Sequence, residues 1–333
     1  MTVQITIIGM GQVGTSIGLA LAQHSDLVFR VGHDKEIAAA NLAKKMGALD
    51  RVDINIPHAV EDAGLVILAV PLDQVQDALK AVAQDLRPDV VVMDMAPVKE
   101  TVMSWAKELL PTNTHYIGLV PVINPIYLQT HEGSTEAAHA DLFQNGLMAI
   151  VSGRGTPSEA IKLAADLSQL LGAEHLFIDP VEVDSMMSAT HLLPELMAAA
   201  LLNATVDQPG WREARMLTGR PFAEAAGPAV LFDQNAALVQ AALGAKEHVL
   251  RNLDTLIENL NDLRHDIRNQ DAASLTLRLE KARKGYERWW RERNTGNWGA
   301  VETAPKVELP SVKDIFGRMV GMRRRKEEPD QRK

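Results

Sequence analysis

The chain has 333 residues, 46% of them hydrophobic and 23% charged, with a formal net charge of −9 and no cysteine. That length suggests two domains with room for a sizeable core, and the lack of Cys excludes disulfides, thiolate metal centres and a catalytic thiol. The acidic balance argues against nucleic acid as a partner, and no run approaches the roughly 18 apolar residues of a membrane span. Met1–Gln4 lead into an apolar run without a basic segment, so no signal peptide is expected. A cytoplasmic protein fits these features. The charge is uneven: from Val301 to Lys333 nine Lys/Arg face six Asp/Glu, a net of +3, which leaves −12 on the body.

In chain order, Gln4–Gly9, Leu27–Gly32, Leu65–Val70, Asp89–Met95, His115–Val120 and Leu147–Ser152 read as buried strands. Helical spacing fills Thr15–Ala22, Glu36–Met46, Leu72–Ala83 and Val98–Leu109, and later Thr156–Leu171; Glu174–Ile178 is a short closing strand. Nearly continuous apolar strands separated by helices predict an α/β fold with a doubly wound parallel (Rossmann) sheet, covered on both faces. After Pro180 the strand pattern stops. Val181–Val206, Phe222–Leu243, Ala245–Asn269 and Ala272–Arg293 read as helices, an all-helical substrate and dimerisation domain. The expected division is 1–179, 180–294 and a weakly ordered tail 295–333. Within the tail, Ser311–Lys326 has the spacing of a small basic amphipathic helix, either a surface or partner contact or a segment lying on its own domain.

The strongest chemical signal is Gly9-Met10-Gly11-Gln12-Val13-Gly14, directly after the first strand and opening a helix. Gly9 allows the tight turn, Gly11 lets the backbone approach a pyrophosphate, and Gly14 lets the helix pack close to the sheet. Asp34 ends the second strand 20 residues after Gly14, where a carboxylate accepts hydrogen bonds from ribose hydroxyls. A carboxylate there repels a 2′-phosphate, which favours NAD over NADP, although Lys35 next door weakens the preference. Val70 and Pro71 end the third strand, where a dinucleotide would cross the switch point; an ordinary strand-to-helix turn would look the same. His131, Glu132, Glu136 and His139 follow no standard metal spacing, so no metal is expected.

Across about its first 270 residues the chain resembles the prephenate/arogenate dehydrogenase family. The resemblance is carried by IIGMGQVGTSIGLAL (Ile7–Leu21), GHDKEIAAANLAKKMGALD (Gly32–Asp50), AGLVILAVP (Ala63–Pro71), DMAPVKETV (Asp94–Val102), YIGLVPVINP (Tyr116–Pro125) and SATHLLPELMAAAL (Ser188–Leu201). It implies NAD(P)-dependent oxidation of a cyclohexadienol with loss of carbon dioxide, on the route to tyrosine, by a homodimer joined through its helical domain.

Two departures stand out. The family's Gly-Ser-Val-Lys run is Ala96-Pro97-Val98-Lys99 here, so Pro97 replaces the serine. Its Gly-His-Pro motif is Gly118-Leu119-Val120-Pro121, and Val120 cannot polarise a hydroxyl or accept its proton. His191 matches a family histidine that faces the substrate, and is the candidate to fill that role; a histidine packed on an apolar helix is the plainer reading. Glu195, four residues on, shares its helical face and could tune it. Lys99 matches the family lysine, or is a solvated first-turn residue. Arg215 is the best match to a substrate-carboxylate arginine, with Arg212 and Arg220 beside it; any of the three could instead pair on the surface. Asn124 could bond a substrate hydroxyl or simply cap a turn. The leading expectation is NAD-dependent dehydrogenation of a small anionic substrate, prephenate or arogenate. A dehydrogenase or reductase of another small carboxylate or imine, or a non-catalytic NAD-binding sensor, remain open.

Overall fold

The computed structural model describes residues 2–129, 133–229 and 235–296. The Ser311–Lys326 segment, His131 and Glu132 lie outside them. The first strand, β1 (Val3–Ile8), is a run of β-branched residues buried almost throughout, so it belongs mid-sheet with helices on both sides. Seven more strands join it: β2 (Val28–His33), β3 (Arg51–Val52), β4 (Ala63–Leu68), β5 (Val91–Asp94), β6 (His115–Val122), β7 (Leu147–Ser152) and β8 (Glu174–Phe177), in the order β3-β2-β1-β4-β5-β6-β7-β8. The order reverses between β1 and β4, the switch point of a doubly wound sheet. Sequence periodicity misses β3 because two residues carry no alternation.

One pairing departs from the all-parallel expectation. β7 runs antiparallel to β6, with Leu147 opposite Val122. Among the described residues no α-helix lies between β6 and β7 to carry the chain back beneath the sheet. It runs along the carboxyl edge through two short 3-10 turns, Pro125–Tyr127 and Thr135–Ala137, and re-enters from that same edge.

α1 (Gln12–Leu21) and α2 (Ile37–Lys45) lie on one face; their buried side chains join Ile5, Ile7, Met93 and Ile117 in one core cluster, closed further along by Leu142 and Phe143. α3 (Ile56–Val60), α4 (Leu72–Ala83) and α5 (Glu100–Leu109) cover the other face around Val66, Leu68, Val90 and Val92. α6 (Ser158–Leu170) completes the first face. Arg30 on β2 is buried and pairs with Asp50 at 2.7 Å while its guanidinium donates to the carbonyls of Gly18 and Gly47, so one side chain ties together the ends of α1 and α2.

From Pro180 every regular element described is helical: α7 (Pro180–Met187), α8 (Leu193–Thr205), α9 (Trp211–Ala214), α10 (Arg220–Ala226), α11 (Asn235–Gly244), α12 (Lys246–Arg268) and α13 (Ala272–Thr295). The expected single helix Val181–Val206 is divided by a π turn at Ser188–Leu192, where the N–H of Leu193 donates to Ser188 O. The cause is Pro194, which has no N–H for the carbonyl of Thr190 and whose ring would collide with it. One wider turn relieves that clash. The expected Phe222–Leu243 helix is likewise two elements, α10 and α11. Arg278 fastens the α12–α13 hairpin by donating to Asp266 (2.6 Å) and Asp262 (2.8 Å). At the far end of α13, Arg293 is buried and donates to the carbonyls of Ile123 and Asn145, anchoring the hairpin on the chain that joins β6 to β7.

Candidate active site

At the carboxyl edge of β1 the glycines are required by space as well as by dihedral angle. Gly9 has φ +96°, and a Cβ there would lie 2.5 Å from the carbonyl oxygen of Ala69 and 2.8 Å from Val70 Cγ1. A Cβ on Gly14 would sit 1.9 Å from Gly9 O. Gly11 is different: among the described residues a Cβ there would meet only Gly133 O, at 3.3 Å. Met10 is fully buried beneath the turn, and Gln12 and Val13 open α1. Asp34, just past β2, accepts from Met10 N–H (2.6 Å) and Glu36 N–H (2.8 Å), which fixes its carboxylate beside the turn. Val70 and Pro71 leave β4 directly against Gly9, at the switch point. This arrangement fits a dinucleotide: a glycine cradle at a helix N-terminus, with a held carboxylate on the neighbouring strand end.

Across the edge, α7 and the π turn pack onto the turns that follow β4 and β5. Leu192 shares an apolar cluster with Leu72, Ala96 and Val98. His191 stands at the widened turn with its side chain 47% exposed, and its Nε2 lies 3.5 Å from Glu195 Oε1. Protein packed around it lowers the imidazole below its ordinary pKa, because burial disfavours the cation; the same desolvation raises Glu195. An imidazole shifted in that direction can accept a proton.

The solvated first-turn reading of Lys99 does not hold. Its side chain is wholly buried, and Nζ donates to Asp94 Oδ1 at 2.7 Å and to Asp94 O at 3.2 Å. The tetramethylene stem passes so close to Gly118 that a Cβ there would lie 2.7 Å from Lys99 Cδ. Tyr116 donates its hydroxyl to the other Asp94 oxygen, and Asp184 reaches from α7 to accept from Lys99 N–H (2.6 Å) and Glu100 N–H (3.0 Å) at the start of α5. Burial lowers Lys99, opposed by the Asp94 charge, and raises Tyr116 and Asp184; the two backbone donors pull Asp184 back down. Asp94, Tyr116 and Asp184 were not singled out in the sequence. Asp94 and Tyr116 lie inside the segments that carry the resemblance, but Asp184 gives no signal, since capping a helix 84 residues away leaves no local pattern.

The remaining expectations divide. Val120, where the resemblance places a histidine, is buried in an apolar cluster with Ala149, Val151 and Val183. Asn124 caps the Pro125–Tyr127 turn, accepting from Ile126 N–H at 3.3 Å and donating to Asp141 O, which accounts for the residue without a ligand. Arg215 follows α9 and is exposed; among the described residues its guanidinium has neither hydrogen bond nor ion pair, and the same holds for Arg212 and Arg220. Among the described residues no cluster of His, Asp and Glu could hold a metal ion.

Fold and site together define a dinucleotide-binding α/β protein of the dehydrogenase type, with a helical region closing over the carboxyl edge of its sheet. The family model for the prephenate dehydrogenase nucleotide-binding domain matches residues 17–176. A prephenate dehydrogenase of Bacillus subtilis is 24% identical over 295 residues, covering 85% of this chain and 74% of its own length. A cyclohexadienyl dehydrogenase of Zymomonas mobilis is 28% identical over 198 residues, 60% of this chain and 66% of its own. In fold, the chain resembles prephenate dehydrogenase from A. aeolicus, solved in complex with hydroxyphenyl propionate and NAD+, with a TM-score of 0.74 at 19% identity over 86% of this chain and 98% of that one. Residues 17–176 thus match the nucleotide-binding domain of the prephenate dehydrogenase family, and the relatives and the fold point the same way.

Proposed function

We propose that the protein is an NAD-dependent dehydrogenase that oxidatively decarboxylates prephenate or arogenate, a step of tyrosine biosynthesis. The observation that carries the reading is the placing of His191 on a π turn that packs, through Leu192, on the same sheet edge as the Gly9–Gly14 turn and Asp34. Gly9, Gly11 and Gly14 would admit the diphosphate to the N-terminus of α1, and Asp34 would accept from the adenosine ribose. NAD, when bound, supplies the two-electron acceptor. His191 takes the proton of the ring hydroxyl as the carbon that bears it is oxidised. Glu195 beside Nε2 favours the tautomer with its proton there, which leaves Nδ1 as the acceptor. Aromatisation drives the loss of the carboxylate. Arg215 supplies a bidentate cation for the anionic substrate.

Purified protein given NAD with prephenate, then with arogenate, should form NADH and lose activity on His191→Asn. No NADH from either at any pH near neutral would overturn the reading. One observation favours a second: Val120 is buried among apolar side chains where the resemblance places a histidine, and Pro97 stands where it places a serine. It supports a dehydrogenase or reductase of another small carboxylate or imine, and turnover in a panel of such compounds without turnover of prephenate or arogenate would select it.

We also read residues 1–179 as the nucleotide-binding domain and 180–294 as a helical domain that forms a homodimer. Exposed Leu243, Ile257, Leu260, Leu277, Leu279 and Trp289 on α11, α12 and α13 support this, since so many large apolar groups in open water call for a partner surface.

A further inference from the structure

The chain that joins β6 to β7 does more than return to the sheet. Its stretch from Gly133 to His139 lies against the glycine turn and is joined to it at four points: Gln12 N–H donates to Gly133 O (3.0 Å), Gln12 Nε2 to Ala137 O (2.9 Å), His139 N–H to Ser16 Oγ (3.0 Å) and Thr135 Oγ1 to Met10 O (2.6 Å). The last bond differs from the others because of where it lands. Met10 is the peptide on which the turn pivots. Its side chain is fully buried, its N–H is held by Asp34, and its carbonyl receives two hydroxyls, Thr15 at 3.0 Å from α1 and Thr135 at 2.6 Å from 125 residues away. Thr135 is itself buried, so its hydroxyl has no water to turn to.

We propose that Thr135 is a positioning residue for the dinucleotide: acting through the Met10 carbonyl, it holds the Gly9–Gly14 turn and Asp34 in the arrangement that receives diphosphate and ribose. The inference rests on the NAD reading above and adds to it a residue outside the glycine motif. A turn whose peptides are oriented before the ligand arrives loses less freedom on binding, so removing the hydroxyl should act on affinity and not on chemistry.

The test is direct titration of the full-length protein with NADH, followed by tryptophan quenching, beside steady-state kinetics and urea unfolding. Thr135→Val keeps the shape and removes the donor. It should weaken NADH binding and raise KM for NAD about fivefold, the change expected for one ordinary hydrogen bond, with kcat and the KM of the second substrate within about twofold. Thr135→Ser should restore the affinity. Ser16→Ala breaks the bond to His139 N–H without touching Met10, and should leave NADH affinity unchanged. Should the valine variant fail to fold, Thr135→Cys, a weaker donor of similar size, carries the same expectation. Unaltered affinity in a folded variant, equal losses in T135V and T135S, or a loss in S16A as large as in T135V would each overturn the proposal in favour of a plain anchor. If the wild-type chain does not bind NADH, the cofactor reading fails first, and Thr135 with it.

Discussion

The sheet region and the helical region of this molecule bury their polar and apolar groups in opposite ways. Between β1 and β8 the apolar strands are covered on both faces, and the charges that go inside are matched: Arg30 with Asp50, and Lys99 with Asp94. From α8 to α13 the apolar side chains are numerous but turned outward. Leu277 is 69% exposed and Ile267 63%. The first region closes its own core, whereas the second has apolar surface left over, as one half of an interface does. The proposed site draws on both: His191 belongs to the helical side and the glycine turn to the sheet side.

Four variants would break or sharpen this contrast, the largest effect first. His191→Asn, at the junction, should lower kcat by about a hundredfold to ten-thousandfold with its fold unchanged in circular dichroism. In the wild-type protein kcat/KM should fall as pH drops through the His191 pKa, which lies below the ordinary histidine value, and H191N should lack that acid limb. Lys99→Met tests the closed region. It leaves the Asp94 carboxylate buried without its cation, and urea unfolding should show a loss of about 3–5 kcal/mol. Leu260→Glu with Leu277→Glu tests the open region: sedimentation should show dimer dissociation raised by at least about a hundredfold, with the sheet's own signal unchanged. A monomeric wild-type protein at micromolar concentration would instead remove the dimer. Asp184→Asn is the mildest, because an asparagine oxygen still caps α5. About 1–2 kcal/mol should be lost, and an unchanged midpoint would show that α7 does not depend on this tie.

Much of the sheet region could be read from the residues alone. Seven of the eight strands, the glycine turn and Asp34 were legible because each is signalled by neighbours in sequence: apolar runs for the strands, and glycines where φ or space forbids a side chain. The helical region was legible as helices, but not in its breaks. Pro194 was in plain view, yet whether a proline ends, kinks or widens a helix depends on what packs around it. Lys99 shows the same limit in the site. Its sequence position fitted a solvated first-turn cation or a ligand partner equally well, and only the packing of Gly118, Tyr116 and Asp94 around it makes it an internal ion pair.

The sequence by itself determined the α/β class, the glycine turn after the first strand and the apolar Val120 and Pro97 in their segments, because those properties follow from residue type and local spacing. Tertiary structure alone decided the antiparallel return of β7, the burial of Lys99, the capping of α5 by Asp184 and the reach of Thr135 to Met10. Each of these joins residues that are neighbours in space and strangers in sequence. Hydrogen bonds and ion pairs act over a few ångströms, so the chain must fold before such partners can be known.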